Sequence, residues 1–151
     1  MIDEKLNSLH ISLPQPPKPA GAYIPVVISD KLAYVSGQIP IENGKVAFTG
    51  KVPTEQSIEQ AQNAARLCVI NALAHLKAEL KSLDKVTKIL RVSGFVNSAP
   101  DFIDQPKVIN AASELLFDIF GKNGQHSRIA VGVASLPLGA TVEIDMIVKI
   151  Q

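Results

Sequence analysis

The sequence predicts an α+β domain: one mixed β-sheet with two helices on one face, in the order β-β-β-α-β-α-β-β. Three observations carry this. Short runs rich in β-branched residues, bounded by turn residues, open and close the chain. Two long segments between them hold apolar residues at helical spacing. The closing runs alternate two sets of side chains, as a strand does.

The elements follow in order. Residues 1–18, with Pro14, Pro16 and Pro17, read as an extended Pro-rich lead-in, and residues 19–151 as a single domain that Pro19 opens. "YIPVVISDKLAYVSGQIPI" gives two short strands about a Ser29-Asp30-Lys31 turn. Asn43-Gly44 is a hairpin turn, and Lys45–Phe48 a third strand. Ile58, Ala61, Ala65, Cys68, Ala72, Leu76 and Leu80 form the stripe of a long helix, with Thr54 as its expected N-cap. "KVTKILRVSGFVNS" is a long strand. A second helix runs from Asp104, as N-cap, and Pro106, in the first turn, to Gly121. "SRIAVGVASLPLGATVEIDMIVKI" ends the chain as two strands about a Leu-Pro-Leu-Gly turn.

Bulk composition narrows the function classes. A chain of 151 residues holds one core, and 46% hydrophobic residues exclude a disordered chain. The net charge of +1 leaves no basic field for a phosphate backbone, so no nucleic-acid partner is expected. The single cysteine, Cys68, excludes an internal disulfide and sits on the core stripe of the long helix. His10, His75 and His126 lack metal-ligand spacing, so no metal is expected. There is no signal-peptide core and no apolar run long enough for a membrane span; a cytoplasmic location is the expectation.

Arg128 is the residue that asks for an explanation. It shares a strand face with Ala130 and Gly132, while Ile129, Val131 and Val133 share the other. Packing the three branched residues under the helices leaves Arg128, Ala130, Gly132, Glu143, Asp145 and Ile147 on a bare face, which self-association would cover. A guanidinium among small neighbours suits a ligand carboxylate; the plainer alternative is a strand salt bridge. Antiparallel pairing of the last two strands would put Glu143 opposite Gly132, about 13 Å from Arg128 between backbones. His126, two residues before Arg128, falls on the same side, at the rim of such a pocket.

"YVSGQIP", "TEQSIEQAQNAARLCVINA", an asparagine in the second helix and "SRIAVGVASLP…ATVEID", in this order, resemble the RidA/YjgF family from about Pro19 to the C terminus. The resemblance implies a chorismate-mutase-like fold and a homotrimer with ligand clefts between subunits. It implies cofactor-free hydrolysis of reactive 2-enamine or 2-imine acids, of the 2-aminoacrylate type, to 2-keto acids and ammonia, in metabolite-damage control. Arg128 matches the arginine that grips the substrate carboxylate, and Glu143 the glutamate that positions water. Tyr23, Ser36, Gly37 and Asn110 match further substrate contacts. Ala130 stands where many members carry a cysteine, which points to a sister branch; its backbone amide remains a donor. The competing readings are a non-catalytic trimeric binding module for small carboxylates and a ribonuclease or translation inhibitor.

Overall fold

Alternating burial along the central strands sets the architecture: Val92, Ile144, Met146 and Val148 are fully or almost fully buried, while their sequence neighbours are partly open or exposed. The computed structural model describes residues 1–18 and 21–151. The chain runs α1 (Ile2–Ser8), β1 (Val26–Ser29), β2 (Leu32–Gln38), β3 (Ile41–Glu42), β4 (Lys45–Val46) and α2 (Ile58–Leu80). It continues through β5 (Val86–Asn97), α3 (Gln105–Phe120), β6 (Ser127–Val133) and β7 (Val142–Ile150). The main sheet has the order β1-β2-β7-β5-β6, with β5 and β6 parallel and its other pairs antiparallel. A parallel pair needs a long crossover, and α3 supplies it. Helices α2 and α3 pack against one another and on the same side of the sheet.

The core lies between these layers. Leu73 and Leu76 of α2 and Ile109 and Leu116 of α3 are fully buried against it. Emptying one such site, for example Leu76→Ala, costs about 2–5 kcal/mol.

Local chemistry explains most boundaries, with corrections to the sequence reading. The first residues are not extended: Ile2–Ser8 is helical, and Leu6 is buried in the core. The Ile2 amide is bonded to Asp84 Oδ1 at 2.9 Å and Lys77 to Asp3 at 2.8 Å, which ties this turn to the body. Asn43 and Gly44 do form the hairpin turn, with φ of 53° and 76°. Its two strands, however, are two residues each and stand outside the main sheet. The N-cap of α2 is Ser57, not Thr54. Its hydroxyl accepts from the Gln60 amide while Gln60 Oε1 accepts from the Ser57 amide, a reciprocal capping box. Asp104 holds the N-cap position of α3 without a side-chain bond to the backbone, and lies 3.7 Å from Lys107 instead.

The largest correction concerns β6. It does not pair with β7; β5 lies between them. The linker 134–141 passes over the end of β5, where the Ser98 amide donates to the Val133 carbonyl and the Asn97 amide to Thr141. The faces are also exchanged. Arg128, Ala130 and Gly132 align with Val92, Gly94 and Val96, the face under the helices. Ile129 and Val131, 37% and 40% exposed, lie on the open face opposite Ser93 and Phe95 of β5. The small residues are small because α3 sits tight against this edge: a Cβ on Gly132 would lie 2.6 Å from Gln105 Nε2.

Candidate functional site

Arg128 enters β6 facing α3, where residues three apart share one helix face. Its Nη2 donates to Asn110 Oδ1 at 2.8 Å, and its Nη1 to Ser113 Oγ at 3.0 Å. Ser113 Oγ is 3.0 Å from His126 Nε2, and His126 Nδ1 is 2.6 Å from the Gly124 carbonyl oxygen. These groups line a cavity of about 510 Å³, together with Glu114, Phe117 and Asp118. A guanidinium carries five N–H donors, and α3 engages two, so the fork is held with N–H groups left for an anion. Ala130 follows on the same face, its side chain partly buried against the core.

Burial holds the His126 imidazole below the usual histidine range; the Gly124 carbonyl opposes this, and Arg128 and Lys88 add to it. The neutral form therefore dominates near neutrality, and the bond to Gly124 assigns its proton to Nδ1. Sequence reasoning placed His126 at the rim and missed Ser113. The signal for Ser113 was its spacing from Asn110 on α3, which becomes readable once Arg128 is known to face that helix.

Glu143 is elsewhere. It lies on the open face of β7, opposite Phe95 of β5 rather than Gly132. Its carboxylate presses on Gly37, where any Cβ would collide with Oε2. Burial, and then the Asp145 carboxylate, push the Glu143 pKa up. Gly37 and Ser36 fall where the register between β2 and β7 slips, the kind of irregularity that re-aims side chains near sites. The Ser36 amide is taken by the Pro25 carbonyl at 2.9 Å, and its hydroxyl by Ile24 at 3.2 Å. Tyr23 is 62% exposed just before β1.

The expected site residues thus form two groups within one chain. Arg128, Asn110 and Ala130 belong to the α3 edge, whereas Glu143 and Gly37 belong to the open face. A larger cavity, about 1000 Å³, lies between residues 10–17, the β3–β4 hairpin and α2; it includes His10, Arg66 and His75 and none of the expected site residues. Chemistry, not size, makes the Arg128 cavity the candidate. Among the described residues no three His, Cys, Asp or Glu side chains gather as a metal site, and no helix is long and apolar enough to cross a membrane.

The arrangement is a mixed sheet under two helices, with a pinned arginine on its edge strand. Residues 3–149 match the family described as "YjgF/chorismate_mutase-like, putative endoribonuclease". The crystal structure of the protein Atu1372 from Agrobacterium tumefaciens superposes with a TM-score of 0.93, at 46% identity, over 99% of this chain and 92% of that one. Protein TCP17 of Trypanosoma cruzi is 39% identical over 151 residues, 99% of this chain and 94% of its own length. The 2-iminobutanoate/2-iminopropanoate deaminase of Dermatophagoides farinae is 30% identical over 142 residues, 93% of this chain and 95% of its own. The chain belongs to the RidA/YjgF family and has its chorismate-mutase-like α+β fold.

Proposed function

We propose that this protein hydrolyses small 2-imino and 2-enamino acids to 2-keto acids and ammonia, in clefts completed by neighbouring copies of the chain. The observation that carries the reading is the Arg128 guanidinium, fixed by Asn110 and Ser113 at the wall of a 510 Å³ cavity. A held fork costs less entropy to engage a carboxylate than a free one, and it fixes the C=N bond next to that carboxylate. The relative named as an iminobutanoate/iminopropanoate deaminase supports the same substrate class.

The reaction is R–C(=NH)–COO⁻ + H2O → R–CO–COO⁻ + NH3. Water adds to the imine carbon, and the carbinolamine expels ammonia. Glu143 of a neighbouring copy takes a proton from the water and returns it to the leaving nitrogen. A carboxylate whose pKa is raised by burial is the better base for this, since it lies nearer the operating pH. Gly37 lies against Glu143, and in this reading Tyr23 and Ser36 join that wall while the Ala130 amide serves the Arg128 side. Trimeric assembly fits the apolar open face, where Val27, Tyr34, Ile129 and Val131 are all more than a third exposed. The deciding experiment is ammonia release from freshly generated 2-iminopropanoate. Release no faster than in buffer, with a keto acid still bound, would leave a binding module instead of an enzyme.

A further inference from the structure

The chain of hydrogen bonds behind Arg128 has a defined direction. The Gly124 carbonyl only accepts, so the 2.6 Å bond puts the imidazole proton on His126 Nδ1. Arg128 Nη1 only donates, so Ser113 Oγ accepts from it. The Ser113 hydroxyl proton is then directed to the bare Nε2 at 3.0 Å. Every link is satisfied with His126 neutral.

The same geometry accepts a second state without moving heavy atoms. A hydroxyl oxygen has two lone pairs. If Nε2 gains a proton, Ser113 Oγ accepts from both His126 and Arg128, and its own proton turns free towards the cavity. What opposes this in the empty site is burial of the ring first and, after it, charge. Arg128 of β6 and Lys88 of β5 both face the imidazole, and it is half-buried. Glu114 and Asp118 of α3 line the cavity as well, but the cations outweigh them at the ring. A carboxylate on Arg128 cancels the nearest of those cations and offers an acceptor to the freed hydroxyl.

We propose that carboxylate binding at Arg128 is coupled through Ser113 to protonation of His126, so that the site takes up a proton with its ligand. The proposal rests on the reading of Arg128 as the carboxylate anchor. Coupling is reciprocal, so ligand affinity rises as pH falls through the histidine range. The two cationic groups are no more than about 6 Å apart through Ser113 Oγ, and the cavity is open to solvent. At that distance and with that screening the gain is roughly three- to tenfold between about pH 8 and about pH 5.5.

The test uses 2-oxobutanoate as probe on the intact protein, by calorimetry in buffers of different ionisation enthalpy across that pH range. The wild type should bind more tightly in acid and take up a fraction of a proton per site. His126→Gln, which cannot titrate, should bind with an affinity flat over the window. Ser113→Ala should flatten it too, and Ser113→Thr, which keeps the hydroxyl, should restore the slope. The NMR titration of His126 in the wild type should move to higher pH when the probe is bound, a readout independent of how any variant folds. A pH-independent wild-type affinity, an unmoved His126 titration, or a slope that survives in His126→Gln overturns the coupling. Undiminished binding in Arg128→Ala overturns instead the anchor reading on which the coupling rests.

Discussion

Arg128 and Glu143 lie on opposite faces of the same sheet, on strands that β5 keeps apart: Arg128 aligns with Val92 and Glu143 with Phe95. Adjacent positions on a strand alternate sides, so no rotamer lets both side chains meet one small substrate in a single chain. A cleft that uses both must draw them from two copies, and the apolar open face supplies a reason for copies to associate.

This relationship makes a complementation prediction. In the proposed trimer, Arg128→Ala and Glu143→Gln should each be nearly inactive when assembled alone. Unfolded together in equal amounts and refolded, they should recover about a quarter of wild-type activity. Random mixing leaves one intact cleft in each mixed trimer. No recovery in mixtures that do assemble would overturn the shared cleft. A stable monomer by light scattering at micromolar concentration would remove the cleft altogether.

Glu143→Gln tests the water-positioning role and carries a pH signature. Turnover should fall far more than keto-acid affinity. The folded-state pKa of Glu143 is raised, so the native protein holds this proton more tightly than the unfolded chain. Its effect on stability is favourable below the unfolded value and is lost as pH rises through the folded one. The glutamine variant should therefore melt higher than wild type at neutral pH, with the advantage shrinking in acid. An equal or lower melting temperature at neutral pH would contradict the burial cost.

RNA should bind weakly and without sequence preference. The net charge is +1, and only Arg66, Arg91 and Arg128 can supply guanidinium groups, the last already bonded to α3. Any contact should fade at physiological salt. A complex that persists there, or metal-free cleavage of RNA abolished by Arg128→Ala, would favour the ribonuclease reading instead.

The strand and helix pattern was legible because burial imposes periods of two and 3.6 on the sequence. Ile144, Met146 and Val148 told their own story. Strand β6 did not, for a physical reason. A helix packed tightly on an edge strand demands small residues beneath it, while the open face of this strand carries the large Ile129 and Val131. That inverts the usual contrast of apolar inside and polar outside, so Ile129 and Val131 read as core and Ala130 and Gly132 as surface. The pairing of β6 with β5 was hidden as well, because nothing local distinguishes a hairpin from a linker that crosses a third strand. Family resemblance named Arg128 and Glu143 as candidates but carried no information on their separation across the sheet. Ser113 became visible only when α3 was seen against Arg128.

Arg128 remains the residue on which the functional reading turns. Arg128→Ala removes two donors from α3 and leaves Asn110 Oδ1 and Ser113 Oγ to find other partners. Asn110 is exposed and Ser113 faces an open cavity, so water can replace them, and the stability loss should stay near about 1 kcal/mol. The open face is untouched, so assembly should persist. Carboxylate binding and imine hydrolysis should collapse. Losing a charge-assisted bidentate contact in a partly desolvated cleft costs on the order of 2–5 kcal/mol, or roughly 30- to several-thousand-fold. Arg128→Lys should rescue little, because one ammonium cannot bond Asn110 and Ser113 while also presenting a fork. Removing the guanidinium also removes a cation facing His126, so the His126 titration should shift upward in Arg128→Ala. Thermal melting, 2-oxobutanoate binding and ammonia release on both variants separate the alternatives. If Arg128→Ala keeps full activity and loses only a little stability, Arg128 is a strut between β6 and α3, and the cavity beside it is not where this protein acts.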